Sequence, residues 1–455
     1  MGNCDCKVKD GEEEDTNRIN LEDFVLLYPI GRGGFGRVWK VRFKRQYTVN
    51  NLDIRLLKNK SRIFAMKEMC KAKVFLKKSV KSVANERKFL EMFNYNLLCN
   101  MYYAFQDSDT LYIIMDYLSG GDLRYHICRK SYFNEKETKF IAACITLSLN
   151  YIHEKKIIHR DLKPENLVFG SDGYLHLTDF GIAMEYKKEG VISASGTPGY
   201  MAPEAIINKP HDFCVDYFAL GVIVYELMME ERPYQGKNRK EIKEQMFTLE
   251  IKLDNNDMPE DWKDDNILDF INRLLKRKKQ KRLGYNGCKE IKNHPWFKDI
   301  KWEQIEKCTF NSPFFFYTED NFDDSYAKKQ DNDSIYEDKK ELYIMEVNES
   351  MTFKNFYFNI EEKYAAESIN QNNLNESSIR IKDSKKSTRI HFNSKSSNKK
   401  VSDDPIVIHN VRGYSKRKSA KFKGIVPDSG NKIVNVLRKD SKSGTIKIDL
   451  IENEE

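Results

Sequence analysis

The chain has 455 residues, 40% hydrophobic and 32% charged, with a formal net charge of +8. That length holds a large core plus tails, and no apolar run approaches the ~20 residues of a membrane-crossing helix. Nine cysteines, an odd number with no CxxC pair, argue against a disulfide scaffold or zinc site and for a reducing compartment. The modest basic excess reads as a solvated surface with a basic tail, and no aromatic-interleaved basic motif calls for a nucleic-acid partner.

The chain opens Met1-Gly2-Asn3-Cys4-Asp5-Cys6-Lys7. Removal of Met1 exposes Gly2, the residue an N-myristoyl transferase acylates, and Cys4 and Cys6 are placed for S-acylation. Cys6 stands where the usual pattern has Ser or Thr. One acyl chain binds a membrane marginally, whereas two or three hold. Residues 1–20 are therefore expected to be an acylatable leader on the cytoplasmic face of a membrane. The competing reading is an ordinary leader that happens to begin Met-Gly.

Phe24–Ile30 reads as a strand running into Gly31-Arg32-Gly33-Gly34-Phe35-Gly36-Arg37-Val38, with a return strand over Val38–Val41. Glycines at 31, 33 and 36 let main-chain N–H groups approach phosphate oxygens. The context is strand–loop–strand, which excludes the strand–loop–helix of a dinucleotide fingerprint. Asn50–Arg62 reads as an inserted loop. Ile63-Phe64-Ala65-Met66-Lys67 is expected to be a strand ending in lysine, and Ser79–Phe93 a helix with Val83, Phe89, Leu90 and Phe93 on its apolar face. Glu86 lies near the middle of that helix, so a Lys67–Glu86 ion pair would hold the ammonium toward bound phosphates. Leu111–Met115 is a buried strand, and Asp116-Tyr117-Leu118 an extended connector whose backbone suits an adenine edge, with Met115 guarding the space behind.

Thr138–Lys155 has helical spacing of Phe140, Ile141, Cys144, Leu147, Leu149 and Ile152. Ile157–Phe169 (IIHRDLKPENLVF) follows and puts Asp161, Lys163 and Asn166 within six positions. That set can orient a hydroxyl, neutralise a phosphate and hold a divalent cation. After a strand over Tyr174–Thr178 comes Asp179-Phe180-Gly181, whose carboxylate is a hard-oxygen metal ligand.

The order Gly-rich loop, Ala65-Met66-Lys67, Glu86, His159-Arg160-Asp161 with Asn166, Asp179-Phe180-Gly181 and Ala202-Pro203-Glu204 resembles the eukaryotic protein kinases over residues 24–297. The resemblance implies an α+β, bilobal protein kinase fold with a small β-rich N-lobe, a larger helical C-lobe and an AGC-type C-terminal extension. It implies transfer of the ATP γ-phosphate to Ser or Thr of protein substrates with Mg²⁺, for which Mn²⁺ can substitute. Asp161 would orient the acceptor hydroxyl, Lys163 neutralise the moving phosphate, Lys67 and Glu86 position the nucleotide, and Asn166 and Asp179 hold metal. Gly31, Gly33, Gly34, Phe35, Gly36, Val38, Ala65, Met115, Asp116, Leu118 and Asp122 would surround ATP, with Phe322 of the extension near the adenine. Lys163 resembles the serine/threonine branch.

In Ser193–Glu204, Thr197 would bond Asp161 and Lys163, and Ser193 is the usual phosphorylation position, with Arg160 as the phosphate's partner. Gly199 departs from the Glu of most close relatives. Glu204 should pair with Arg282, and Asp216 should cap the catalytic-loop backbone. Asp122, Glu165 and Glu226 match positions lining basic-residue pockets, which implies a basic residue upstream of the acceptor.

Asn85-Glu86-Arg87, His294-Pro295-Trp296-Phe297, Asn321-Phe322-Asp323-Asp324 and Phe353-Lys354-Asn355-Phe356 resemble the AGC group. Phe353 and Phe356 would dock on the small lobe. Tyr357 stands where many relatives carry a phosphorylated Ser or Thr. Gly120–His126 and the Gly-Thr-x-x-Tyr-Met-Ala-Pro-Glu run resemble the YANK family most, with a cAMP-dependent-like kinase as the nearer alternative. The expected divisions are 1–20 leader, 21–297 kinase domain (N-lobe 21–118, C-lobe 119–297), 298–360 extension and 361–455 disordered basic tail. Ser419, behind Lys416-Arg417-Lys418, is a candidate for self-phosphorylation. A monomer is expected. The rival reading is a pseudokinase scaffold, which normally lacks one of the residues standing here at Lys67, Asp161 and Asp179.

Overall fold

Runs rich in aromatic and branched apolar residues between Phe24 and Asp116 build five antiparallel strands: β1 Phe24–Arg32, β2 Arg37–Phe43, β3 Ile63–Cys70, β4 Met101–Gln106 and β5 Thr110–Asp116. The computed structural model describes residues 18–45, 62–130, 132–316, 353, 355–364 and 366, which fall in the unit Met1–Asn373. The inserted loop expected at Asn50–Arg62 lies, apart from Arg62, outside the described residues.

The sheet order is β1-β2-β3-β5-β4-β10, and its last strand, β10, is only Phe358–Asn359, paired with Ala104 and Tyr103. The chain's own extension thus covers what would be an open edge. β3 continues three residues past Lys67, because Glu68, Met69 and Cys70 keep pairing with β5 and Met69 is buried. Lys67 is therefore mid-strand rather than at a strand end. Helix α1 (Lys71–Leu76), absent from the sequence reading, follows, and α2 spans Val80–Met92. Val83, Glu86, Phe89 and Leu90 lie on the buried face of α2, three and four residues apart, so Glu86 is forced inward with the apolar side chains.

Helix α3 (Leu123–Arg129) is capped by Asp122. Helix α4 (Glu135–Glu154) begins three residues before the expected start, because Asn134 and Glu137 form a reciprocal capping box. Two short ribbons, β6 Ile157–Ile158 with β9 Met184–Glu185 and β7 Leu167–Phe169 with β8 Leu175–Leu177, brace the segment between them. Helix α5 (Cys214–Met229) is buried on nearly every face, the mark of a central core helix. Helices α6 (Arg239–Thr248) and α7 (Asn266–Leu274) also belong to the larger lobe. Phe270 packs against Trp296 and Phe297 at 4.9 and 5.2 Å.

Candidate active site

The small lobe supplies a cation held forward. Lys67 Nζ lies 2.5 Å from Glu86 Oε1 and 3.7 Å from Asp179 Oδ1. Burial works against the ammonium, yet Glu86 and Asp179 outweigh it and raise the Lys67 pKa. Lys67 in turn holds the Asp179 carboxyl below the usual range. Asp179 stays 48% exposed, so its ionised oxygens remain open to a ligand. Phe180 is buried against Phe93 and His159, at ring distances of 4.8 and 5.2 Å, which anchors the residue next to Asp179.

Gly33 N–H donates to Gly36 O at 2.9 Å, folding the Gly-rich loop back on itself. A Cβ on Gly36 would lie 2.1 Å from the Glu68 carbonyl oxygen, so no other residue fits without moving β3. Phe35 O accepts from Cys70 N at 3.1 Å, and Gly34 O accepts from Lys77 Nζ at 2.5 Å. Gly31 packs against Val38, and Ala65 pairs with Met115 across β3 and β5. The Asp116 carboxylate takes bonds from Asn100 and Tyr102 and is structural, so only its backbone remains for the expected adenine contact.

The large lobe supplies the second half. Asp161 Oδ1 accepts from Thr197 N–H at 2.9 Å and Thr197 Oγ1 at 2.8 Å, while Lys163 Nζ lies 2.7 Å from Asp161 Oδ2 and 3.0 Å from Thr197 Oγ1. Asn166 Nδ2 donates to the Asp161 backbone oxygen at 2.9 Å, so the carboxamide oxygen is the atom left for a cation. Two non-glycine residues here are left-handed, Arg160 (φ 69°) and Asp179 (φ 59°). Such backbone costs of order 1–3 kcal/mol per residue and collects at active sites. Asp216 holds the first in place, accepting from Arg160 N at 2.8 Å and His159 N at 2.9 Å. Burial opposes its charge, but bonds from His153 and Arg160 and the nearby His159 hold the Asp216 carboxyl low. Glu204 meets Arg282 at 2.6 and 2.9 Å, the expected tie to the lobe's base.

The family model for the protein kinase domain matches residues 24–297, more than half of the chain. This chain belongs to the protein kinase family. It is 34% identical over 327 residues to a probable serine/threonine-protein kinase of Dictyostelium discoideum, covering 70% of this chain and 67% of that one. It is 34% identical over 333 residues to serine/threonine-protein kinase sgk-1 of Caenorhabditis elegans, again 70% and 67%. Against cAMP-dependent protein kinase type 3 of Saccharomyces cerevisiae it is 33% identical over 302 residues, covering 66% and 70%. The protein is a serine/threonine kinase, an ATP-binding transferase acting on protein substrates, and the family uses a divalent metal with its ATP.

The kinase's expected acidic pocket is not vacant. Arg124, on α3, reaches Glu165 Oε1 at 3.1 Å and Glu226 at 2.9 and 3.4 Å, and it also contacts the Tyr200 hydroxyl. Tyr200 OH donates to Glu226 Oε2 at 2.6 Å. Burial works against the Arg124 charge, and Glu226 and Tyr200 outweigh it. Asp122 is spent differently, its carboxylate accepting the Tyr125 N–H at 2.7 Å as a helix cap. Of the three carboxylates expected to line a basic-residue pocket, Glu165 and Glu226 thus bond Arg124 of the same chain, and Asp122 caps a helix.

Sequence reasoning missed Arg124 and Tyr200. The available signal was a lone arginine following an N-cap aspartate in a kinase whose pocket positions are acidic. Phe353 and Phe356 are buried, with Phe353 edge-on to Phe75 at 5.9 Å. Arg87 clamps the Phe356 and Tyr357 carbonyl oxygens at 3.1 and 2.7 Å. The chain is helical over 360–364, where Lys363 donates to Glu91 O at 2.8 Å, so the ordered extension passes the expected boundary at 360. Gly2, Cys4, Cys6, Phe322 and Ser419 lie outside the described residues.

Proposed function

We propose that Asp161, Lys163 and Thr197 are the groups with which this kinase aligns a protein hydroxyl for in-line attack on the ATP γ-phosphate. The supporting observation is the closed triangle at Asp161, in which Thr197 fixes one carboxylate oxygen and Lys163 faces the other. Asp161 accepts the acceptor hydroxyl's hydrogen bond, and the Lys163 ammonium offsets charge on the phosphoryl oxygens. Lys67, kept charged by Glu86, orients the nucleotide phosphates. Leu118 lies on the connector between the lobes, its backbone suited to the adenine edge.

Mg²⁺, with Mn²⁺ able to substitute, fits Asp179 and Asn166, an ionised half-exposed carboxylate and a neutral carboxamide oxygen. When bound, the cation neutralises phosphate charge. The intact Lys67, Asp161 and Asp179 favour catalysis over a pseudokinase scaffold. Phosphate transfer from radiolabelled ATP to a Ser/Thr peptide library should fall to background in Asp161→Ala; equal incorporation by both proteins would sink this reading.

Ser193 is the proposed regulatory phosphorylation site, received by Arg160. What supports this is Arg160 Nη1, which is buried with no hydrogen-bond partner among the described residues, while Nε donates to Ile182 O at 2.8 Å. The Gly120–His126 run supports a place nearest the YANK branch of the AGC group. Gly2, with Cys4 and Cys6, is proposed to carry acyl chains that hold a monomeric kinase at the cytoplasmic face of a membrane. Gly2→Ala should move it to the soluble fraction, and unchanged fractionation would count against acylation.

A further inference from the structure

Beside the Asp161 triangle opens a cavity of about 370 Å³ whose walls include Thr197, Arg124, Glu165, Tyr200, Glu226 and Arg232. Thr197 belongs to both places, since its hydroxyl donates to Asp161 at 2.8 Å. A substrate with its acceptor at Asp161 therefore passes a neighbouring side chain across this opening. Resting on the kinase reading, we propose that Arg124 is a built-in occupant of the subsite where a substrate's basic residue would bind, so that this kinase gives no advantage to a basic side chain there.

Three observations carry the proposal. All three guanidinium nitrogens of Arg124 face Glu165, Glu226 or Tyr200, the bonding an incoming arginine would otherwise make. Glu226 is 5% exposed, and its two oxygens are both engaged by Arg124, with Tyr200 sharing one. An incoming cation would have to strand either itself or Arg124 against a partner already satisfied. Gly199 then admits a second internal cation: a Cβ there would lie 2.2 Å from Arg232 Nη1, and that guanidinium lies over the Tyr200 ring at 5.9 Å. The charged walls are two cations, Arg124 and Arg232, and three carboxylates, Glu165, Glu226 and Glu231, which leaves a net of one negative charge to select a basic residue.

The test is a positional-scanning Ser/Thr peptide library with radiolabelled ATP, using the full chain. Wild type should favour Arg over Ala less than about twofold at the upstream position this subsite serves. Arg124→Leu should gain about a tenfold preference for Arg at one upstream position, the size expected of a charge-assisted pair. Adding Glu226→Gln to Arg124→Leu should abolish that gain. A tenfold Arg preference in wild type that Glu226→Gln removes overturns the proposal, so a poorly folded Arg124→Leu protein does not shield it. An Arg124→Leu protein that melts like wild type yet keeps a flat profile also overturns it. No incorporation into any peptide by folded wild type would instead overturn the kinase reading, and this proposal with it.

Discussion

Two charged clusters share Thr197, and they are finished differently. Around Asp161 the bonds from Thr197 and Lys163 orient both carboxylate oxygens, and nearby Asp179 stays half exposed. Around Glu226 a guanidinium and a phenol close on the carboxylate from within, leaving it 5% exposed. Both clusters combine carboxylates with a cation and a hydroxyl, so composition does not separate chemistry from structure. What separates them is whether a carboxylate is left open at the surface, as Asp179 is beside Asp161 and Glu226 is not.

The sharpest way to break that contrast is at Asp161. Asp161→Asn keeps the shape but removes the charge that receives the acceptor's proton, and kcat should fall about 10³-fold. A loss below tenfold, measured with saturating ATP and peptide, would mean that this cluster is no more reactive than the one at Glu226. Lys67→Met is next. It removes the cation that pairs Glu86 with Asp179 and should lower kcat/KM for ATP by about 10²-fold. Unchanged ATP kinetics would make the 2.5 Å pair with Glu86 merely structural.

The catalytic half of the site was legible in the sequence for a physical reason. Asp161, Lys163 and Asn166 act within one loop, so their spacing is written in consecutive residues. Lys67 was legible from the Ala65-Met66-Lys67 run, and Glu86 because helix periodicity sets it with Val83, Phe89 and Leu90 on the inward face. Arg124 was not, since its partner Glu226 lies 102 positions away, and an arginine on a short helix reads as solvated. The sixth strand was invisible because Phe358–Asn359 is two residues long and exists only by pairing with β4. The early start of α4 could have been found, since Asn134 and Glu137 have the spacing of a capping box.

Asp216 sharpens the comparison from beneath. It too is a buried carboxylate satisfied from within, yet it serves the open cluster by fixing the left-handed Arg160. Its pKa is depressed in the folded state, so its charge stabilises the fold above the unfolded carboxyl value of about 3.9. That contribution is lost as pH falls through the lower folded value. Asp216→Asn should cost about 2 kcal/mol at pH 7 and flatten the loss of stability below about pH 4. Denaturant titrations at pH 7 and pH 3 give both quantities, and parallel acid limbs for the two proteins would contradict this account.

The smallest effect expected is at Arg87, and it asks whether the open cluster depends on the far edge of the small lobe. Arg87 follows Glu86 on α2, and its Nε and Nη2 hold the Phe356 and Tyr357 carbonyl oxygens. The docked extension thereby grips the turn of helix that presents Glu86 to Lys67. Arg87→Ala should cost about 1 kcal/mol, because the two carbonyls lose charge-assisted donors while Phe353 and Phe356 remain buried. Amide exchange should quicken over 355–364 and, through α2, around Glu86, while kcat falls less than tenfold. Faster exchange confined to 355–364 would show the extension to be a cover for the sheet edge. Faster exchange that reaches Glu86 would tie the reactivity of Asp179, through Lys67, to strand β10.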